Sequence, residues 1–172
     1  MGDGNRALGD GKTWNGLLAG TLGGGFLGML THTIANGNQI SSAPFLDPLG
    51  LYGTGNSSIS DAWFFVGGEL GASFILGSVL GLGCMFGDSA GSFVKRRMGH
   101  KREGDISSES PLLDTLPFAL STFLFGQLLL GPSIVGSHEL LMGMGILLIM
   151  TPIMHRAFNI IGFRLGLKSV PY

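Results

Sequence analysis

Leu17–Ala35, LLAGTLGGGFLGMLTHTIA, is an apolar run with glycines at helical spacing. Runs of similar character follow at Ala62–Phe86, Leu116–Leu130 and Leu140–Met154. Each run is near, or slightly below, the roughly 20 apolar residues that a membrane-spanning helix needs. Because unpaired backbone groups are not tolerated in lipid, we expect all four runs to be helices. The sequence therefore predicts an all-α integral membrane protein with about four spans.

Glycine accounts for 31 of the 172 residues, and much of it follows the period of a helix. The first run has a stripe with i, i+4 spacing, and the second run repeats the pattern in two pairs: Gly16, Gly20, Gly24 and Gly28, then Gly67 with Gly71 and Gly77 with Gly81. Such stripes let helix backbones approach closely in lipid. We expect a compact, glycine-rich bundle. The alternative is that part of the stripe opens a groove for a lipid substrate.

All ten Lys and Arg residues lie before the first run, between the second and third, or after the last. There is no basic residue between Lys12 and Lys95, nor between Arg102 and Arg156. The positive-inside rule then places both termini and the Lys95 region in the cytoplasm, and the loop 36–61 outside as a surface connection. We expect a multi-pass protein of the cell membrane with its chemical residues on the cytoplasmic face.

Composition limits the partners. Charged residues make up 12% of the chain, about half the usual share in soluble domains. The net charge of -1 provides no field for nucleic acid, so an anionic partner must be bound by local clusters of cations. The length fits a single domain, residues 1–172.

The segment Gly9-Asp10-Gly11-Lys12-Thr13-Trp14 invites comparison with a phosphate-binding loop. That motif requires a glycine five positions before Gly11, where this chain has Arg6, so a nucleoside triphosphatase fold is excluded. A lysine, a hydroxyl and glycine amides remain at the start of a helix, and the N-terminal end of a helix favours anions. We expect this segment to bind phosphate.

Asp88 ends the second run and is followed by Ser92, Lys95, Arg96 and Arg97. On a continuous helix Asp88, Ser92 and Lys95 share one face. A carboxylate at membrane depth is functional or paired, and the alternative here is an ion pair with Lys95 or Arg96 that only secures the helix end. Asp114 repeats the situation before the third run. Two aspartates beside clustered cations suit Mg²⁺ and a polyphosphate.

These residues match a known family. Lys12-Thr13-Trp14 with Gly16, then Gly87-Asp88 with Ser92 and Lys95-Arg96, then a later aspartate, resemble the CTP-dependent lipid cytidylyltransferases. The chain is most similar to their archaeal branch, the CDP-archaeol synthases, almost from end to end. Bacterial phosphatidate cytidylyltransferases have further motifs, among them a Lys-Asp pair, where this chain has Lys101-Arg102. Family members also usually begin with another span, which would make about five spans and leave the face of the site unchanged.

The resemblance implies transfer of a cytidylyl group from CTP to 2,3-bis-O-(geranylgeranyl)-sn-glycerol 1-phosphate, with release of pyrophosphate. It implies catalytic roles for Asp88, Asp114 and Lys95, with Mg²⁺ bound by Asp88 and Asp114. The residues expected to bind the CTP phosphates are Asp10, Gly11, Lys12, Thr13, Ser92, Lys95, Arg96 and Arg97. Residues 1–16 would then be a CTP-binding segment and residues 87–114 a metal and phosphate segment.

Other interpretations stay open at this point. The same reaction on a diacyl lipid is one alternative, and a small transporter, which would also be Gly-rich with aspartates at membrane depth, is another. His32 and Glu69 lie toward the outer leaflet, and we expect them to form hydrogen bonds between packed helices. Residues 155–172 alternate basic and apolar side chains, which is typical of a helix on the cytoplasmic membrane surface.

Overall fold

The computed structural model describes residues 12–37, 49, 59–98, 111–130 and 138–167. Four α-helices account for most of them: α1 (Trp14–Gly37), α2 (Gly68–Arg97), α3 (Pro111–Leu130) and α4 (His138–Arg164). A short 3₁₀ turn, Ile59–Asp61, precedes α2, and there is no β-strand in the described part of the chain. The prediction of an all-α bundle is confirmed.

The helices α1 and α2 pack closely through glycine. A Cβ built on Gly24 would lie 2.6 Å from the carbonyl oxygen of Gly77 and 3.0 Å from the Cα of Gly81. One turn further, a Cβ on Gly28 would lie 2.6 Å from the carbonyl oxygen of Ser73. Residue numbers rise along α1 while those of their partners fall along α2, so the two helices are antiparallel. The predicted stripe therefore packs backbone against backbone.

The third helix covers another side of α2. A Cβ on Gly83 would meet the Cβ of Phe125 at 2.9 Å and the Cα of Thr122 at 3.0 Å. Four residues later, Gly87 lies against Pro117 and Phe118. This pairing is antiparallel as well, so α2 is the central helix between α1 and α3. The fourth helix packs mainly on α3 among the described residues.

The second apolar run does not begin its helix at Ala62, as the run itself suggests. Gly67 and Gly68 both have φ of 77°, a left-handed conformation that glycine adopts without steric cost, so the helix begins only at Gly68. Gly67 thus lies in a turn, and its pairing with Gly71 does not serve helix packing. At the other end α2 continues past Phe86 to Arg97, and its last residues, Lys95, Arg96 and Arg97, are good helix formers.

Residues just before α2 close the end of the bundle away from Lys12. Phe64 is fully buried and Leu49 is 2% exposed, and both pack with Ala72 and Leu76 of α2. A chain reversal bonded from the Val66 amide to the Phe64 carbonyl oxygen, 2.9 Å, directs Phe64 inward. The expectation that the loop 36–61 is only a surface connection is wrong for Leu49, because its apolar side chain completes this cluster.

Replacement of Phe64 with alanine is expected to lower the free energy of unfolding by about 3 kcal/mol, because it empties a fully buried site. Val66→Ala is the control, since the Val66 side chain is exposed and its loss opens no cavity. Thermal unfolding of both variants in the same detergent measures the effect. Equal midpoints for Phe64→Ala and Val66→Ala would contradict the packing described here.

Three helical segments in the described residues are long and apolar enough to cross a membrane: Trp14–Asn36, Gly68–Lys95 and Met144–Arg164. A shorter apolar segment, Thr115–Leu128, forms most of α3. Many large apolar side chains are exposed on these helices, which is expected where the surroundings are lipid. The last span differs from the predicted Leu140–Met154, because α4 continues without a break into the residues predicted as a surface tail.

His32 and Glu69 lie in contact where α1 packs against α2, at the place where hydrogen bonds between helices were predicted. His32 is buried, and its Nε2 lies 3.5 Å from Glu69 Oε2 on α2 and 3.0 Å from Asn36 Nδ2 on its own helix. These contacts tie α1 to the start of α2 at the end of the bundle that Phe64 closes. Polar contacts between helices of this kind support helix packing in lipid, where an isolated polar group is costly.

Candidate active site

One end of the bundle contains the charged and polar side chains that could bind ions or take part in a reaction. Because α1 and α3 are both antiparallel to α2, the start of α1, the last turns of α2 and the start of α3 lie at the same end. The first part contains Lys12 and Thr13, the second contains residues 88–97, and the third contains Asp114. Tight glycine packing in the middle of the bundle thus determines which polar residues meet at its end.

Lys12, which lies just before α1, forms an ion pair with Asp88 of α2. Its Nζ donates to Asp88 Oδ2. The two side chains are 26% and 43% exposed, so the pair is partly screened from water and remains reachable from outside. The sequence allowed an Asp88 pair with Lys95 or Arg96 that merely secures one helix end. The Lys12 contact instead joins residues 76 positions apart and builds a site between helices.

Thr13 caps α1. Its Oγ1 accepts a hydrogen bond from the Gly16 amide, 3.0 Å, which is the usual arrangement at a helix N-terminus. The hydroxyl proton is not used in this contact, so Thr13 can still donate to a phosphate oxygen. The predicted site residues Asp10 and Gly11 lie outside the described residues.

The continuous helix expected after Asp88 is present, and α2 extends to Arg97. Ser92 and Lys95 are half-buried on it, one and two turns beyond Asp88. Arg97 is exposed, with its guanidinium carbon 5.2 Å from the centre of the Phe93 ring, a cation–π contact. The Arg96 side chain is outside the described part. Positive charge therefore continues along α2 from the Lys12–Asp88 pair.

Gly87 sets how closely α3 approaches this site. A Cβ at Gly87 would overlap the Pro117 carbonyl group, whose carbon lies 2.7 Å away, and the Cα of Phe118. Continuing the antiparallel pairing by one turn brings the buried Gly91 level with Asp114. The backbone of Asp114 thus lies beside the stretch of α2 that carries Asp88, although the Asp114 side chain is outside the described residues.

The site's donors fit a magnesium ion. Within the described residues no group of three His, Cys, Asp or Glu side chains converges, a search that does not include the Asp114 side chain. Mg²⁺ needs no such group, since it is commonly bound by one or two carboxylates together with substrate phosphates. Asp88, partly exposed and next to cationic groups, suits that arrangement.

Sequence reasoning missed two features near this end. The first is the packing role of Gly87, which was named only as part of the Gly87-Asp88 motif. The second is a polar pair on α4, where Asn159 Nδ2 lies 3.3 Å from His155 Nδ1. Histidine followed by asparagine four residues later, within an apolar helix, was the available indication of the second.

The fold and the site define a class: a helical, multi-pass membrane protein with a carboxylate and several cations at one end of its bundle. A family model described as CarS-like, CDP-archaeol synthase, matches residues 1–51 and 56–172. The chain belongs to the CDP-archaeol synthase family.

Individual relatives agree with this assignment. A CDP-archaeol synthase of Methanococcoides burtonii is 32% identical over 172 residues, covering the whole of this chain and 86% of the relative. Those of Archaeoglobus fulgidus and Methanopyrus kandleri are each 34% identical, covering 99% and 100% of this chain and 79% and 75% of the relatives. No solved structure matches the chain.

Proposed function

We propose that this protein transfers a cytidylyl group from CTP to the phosphate of 2,3-bis-O-(geranylgeranyl)-sn-glycerol 1-phosphate, giving CDP-archaeol and pyrophosphate. The observation that carries the proposal is the Lys12–Asp88 pair, which joins a cation and a carboxylate from two helices at one end of the bundle. Membership of the CDP-archaeol synthase family supports this activity over transport.

The reaction needs little acid–base chemistry. An oxygen of the lipid phosphate attacks the α-phosphorus of CTP, the bond between that phosphorus and the oxygen bridging to the β-phosphate breaks, and pyrophosphate leaves with the bonding electrons. A phosphate monoester has a second pKa of about 6, so the attacking oxygen is already negative at neutral pH. Catalysis then consists of alignment and charge neutralisation.

The residues of this chain divide that work by position. Lys12 at the start of α1 and Lys95, Arg96 and Arg97 on α2 neutralise the triphosphate and the leaving pyrophosphate. Thr13 and Ser92 donate hydrogen bonds to phosphate oxygens, while Asp10 and Gly11 complete the CTP-binding segment. When CTP binds, Lys12 exchanges its contact with Asp88 for one with a phosphate.

Asp88 and Asp114 would hold Mg²⁺ at this site. The bound ion would supply positive charge to the phosphate oxygens, beyond what the lysines and arginines provide. Asp88 is partly exposed and lies at the same end of the bundle as the start of α3, which supports the assignment.

The site faces the cytoplasm in this proposal. The described helix ends at this side carry Lys12, Lys95, Arg97 and Arg164, and the positive-inside rule assigns such an end to the cytoplasm. CTP and pyrophosphate are then on the side of the membrane where nucleotides are made.

Transfer of label from CTP labelled at the α-phosphate into extractable lipid tests the proposal. Purified protein is supplied with the geranylgeranyl diether phosphate or with diacyl phosphatidic acid. Label in the diether lipid alone is the expected result. Label in the diacyl lipid alone would mean that the substrate is a diacyl lipid phosphate and not the diether. Label in neither lipid, with folded protein, would refute the activity for this chain.

Removal of divalent metal is expected to abolish transfer, because the charge of the triphosphate and the two aspartates would then be poorly neutralised. EDTA in excess should reduce the rate to background, and added Mg²⁺ should restore it, with no change in helical content by circular dichroism. A transfer rate that is unaffected by EDTA would contradict the metal assignment.

A further inference from the structure

The fourth helix buries one polar side chain, that of Asn159. Among its described side chains, Asn159 alone is more than nine-tenths buried, at 7% exposed, whereas its large apolar residues are mostly exposed. In a lipid-facing helix the apolar side chains face the lipid, and a polar side chain such as that of Asn159 is held inside the bundle, where it needs partners.

The contact with Asn159 determines which ring nitrogen of His155 accepts a hydrogen bond and which one donates. The amide Nδ2 can only donate, so His155 Nδ1, 3.3 Å away, is the acceptor, and the proton of the neutral ring is on Nε2. His155 is half-buried and presents Nε2–H as a donor at a defined position. Arg156, the next residue, is exposed, and among the described residues no carboxylate pairs with it.

Helix geometry places these residues at the site end. The helices α3 and α4 pack together, and the end of α3 at Leu130 is close in sequence to the start of α4 at His138, so they are antiparallel neighbours. From Leu130 back to Asp114, α3 rises about 24 Å, and an equal rise from His138 along α4 ends near Met154. His155 and Arg156 thus lie level with the first turn of α3, which contains Asp114.

We propose that His155, positioned by Asn159, binds the phosphate of the lipid substrate, with Arg156 supplying positive charge beside it. This proposal rests on the proposed function and names the lipid side of the same site. The cations of α1 and α2 face the triphosphate, whereas α4 contains the least buried of the three candidate spans, and a diether phosphate must arrive from the lipid. A fixed N–H donor and an Arg that no carboxylate among the described residues pairs with match a phosphate monoester.

Variants of His155 separate a phosphate donor from a packing residue. His155→Ala is expected to raise the KM for the diether phosphate roughly 10–100-fold, the effect of losing a hydrogen bond to a charged group, with the KM for CTP unchanged. Glutamine can place an amide N–H near the position of Nε2, whereas asparagine reaches only that of Nδ1. His155→Gln is therefore expected to retain most lipid affinity and His155→Asn to lose it.

A matched control exists at the opposite end of the bundle. His32 and Asn36 form a similar i, i+4 histidine–asparagine contact on α1, far from Lys12, in which the ring uses Nε2 in place of Nδ1. His32→Ala should leave the KM for lipid unchanged, even if it lowers the melting temperature. Arg156→Gln, at an exposed position, provides a second test should His155→Ala fold poorly, and it should also raise the KM for lipid.

Native mass spectrometry of lipid binding tests the inference without turnover. Wild-type protein should retain the diether phosphate in preference to the diether glycerol without phosphate, and His155→Ala should lose that preference. Transfer by the wild type with an unchanged KM for lipid in both His155→Ala and Arg156→Gln would overturn this inference and leave the proposed function standing. If the wild type transfers no label but binds the lipid in a way that requires both its phosphate and His155, the inference is supported and the proposed function is contradicted.

Discussion

Replacement of Asp88 with asparagine is expected to reduce cytidylyl transfer by at least about 100-fold while leaving the protein folded. Asparagine has the same size but no charge, so it removes the proposed metal ligand and leaves Lys12 without its ion-pair partner. A bound metal contributes several kcal/mol of charge stabilisation in the transition state, and each 1.4 kcal/mol corresponds to a factor of ten. Initial rates at saturating CTP and lipid, measured on detergent-purified protein, give the effect.

Asp61→Asn is the matched control for this experiment. Asp61 is an exposed aspartate in the 3₁₀ turn at the other end of the bundle, and its replacement should leave the rate within a factor of two or so. Binding of Mn²⁺ followed by electron paramagnetic resonance should weaken in Asp88→Asn and stay unchanged in Asp61→Asn. Near-normal turnover by Asp88→Asn would remove Asp88 from the catalytic centre.

Replacement of Gly87 with alanine is expected to cost about 100-fold in activity, although this residue has no reactive group. The added Cβ would overlap the backbone of Pro117 and Phe118, which cannot rotate away as a flexible side chain could. The start of α3 must then move away from α2 by on the order of 1 Å, and a misplacement of that size can cost 100-fold in rate. Activity and the affinity for Mn²⁺ should fall together.

Two other glycines separate this effect from general overpacking. Gly77→Ala creates an equally close backbone contact, with the Gly24 carbonyl group, but in the middle of α2 and away from α3. It should lower the melting temperature as much as Gly87→Ala does, yet preserve Mn²⁺ affinity in the folded fraction. Gly23→Ala meets nothing within 4 Å and should change neither. Wild-type Mn²⁺ affinity in Gly87→Ala would contradict the positioning role.

Much of the fold follows from composition and period. Four apolar runs predicted four helices, because lipid permits little else, and the Gly20–Gly28 stripe predicted a close helix contact that is present against Gly77 and Gly81. The ends of the helices were harder to predict from the sequence. The start of α2 depends on two consecutive glycines with positive φ, and an apolar run gives no indication that the chain turns within it.

The candidate site could be predicted as a set of residues more readily than as an arrangement. Lys12 and Asp88 were both identified from motifs and charge, but their contact depends on the register between α1 and α2, which glycine packing in mid-helix determines. The same holds for Asn159, whose burial depends on how α4 lies against the rest of the bundle. The register between two packed helices depends on contacts between distant parts of the chain, so a local sequence pattern does not predict it.

Parallel assays with α-labelled and γ-labelled CTP test whether the chain moves a cytidylyl group to a lipid. With the diether phosphate and Mg²⁺, label from the α-position should appear in lipid, and label from the γ-position should appear only in pyrophosphate. Label from the γ-position in lipid would mean phosphoryl transfer. That result, or the absence of both products from folded protein, would contradict the account.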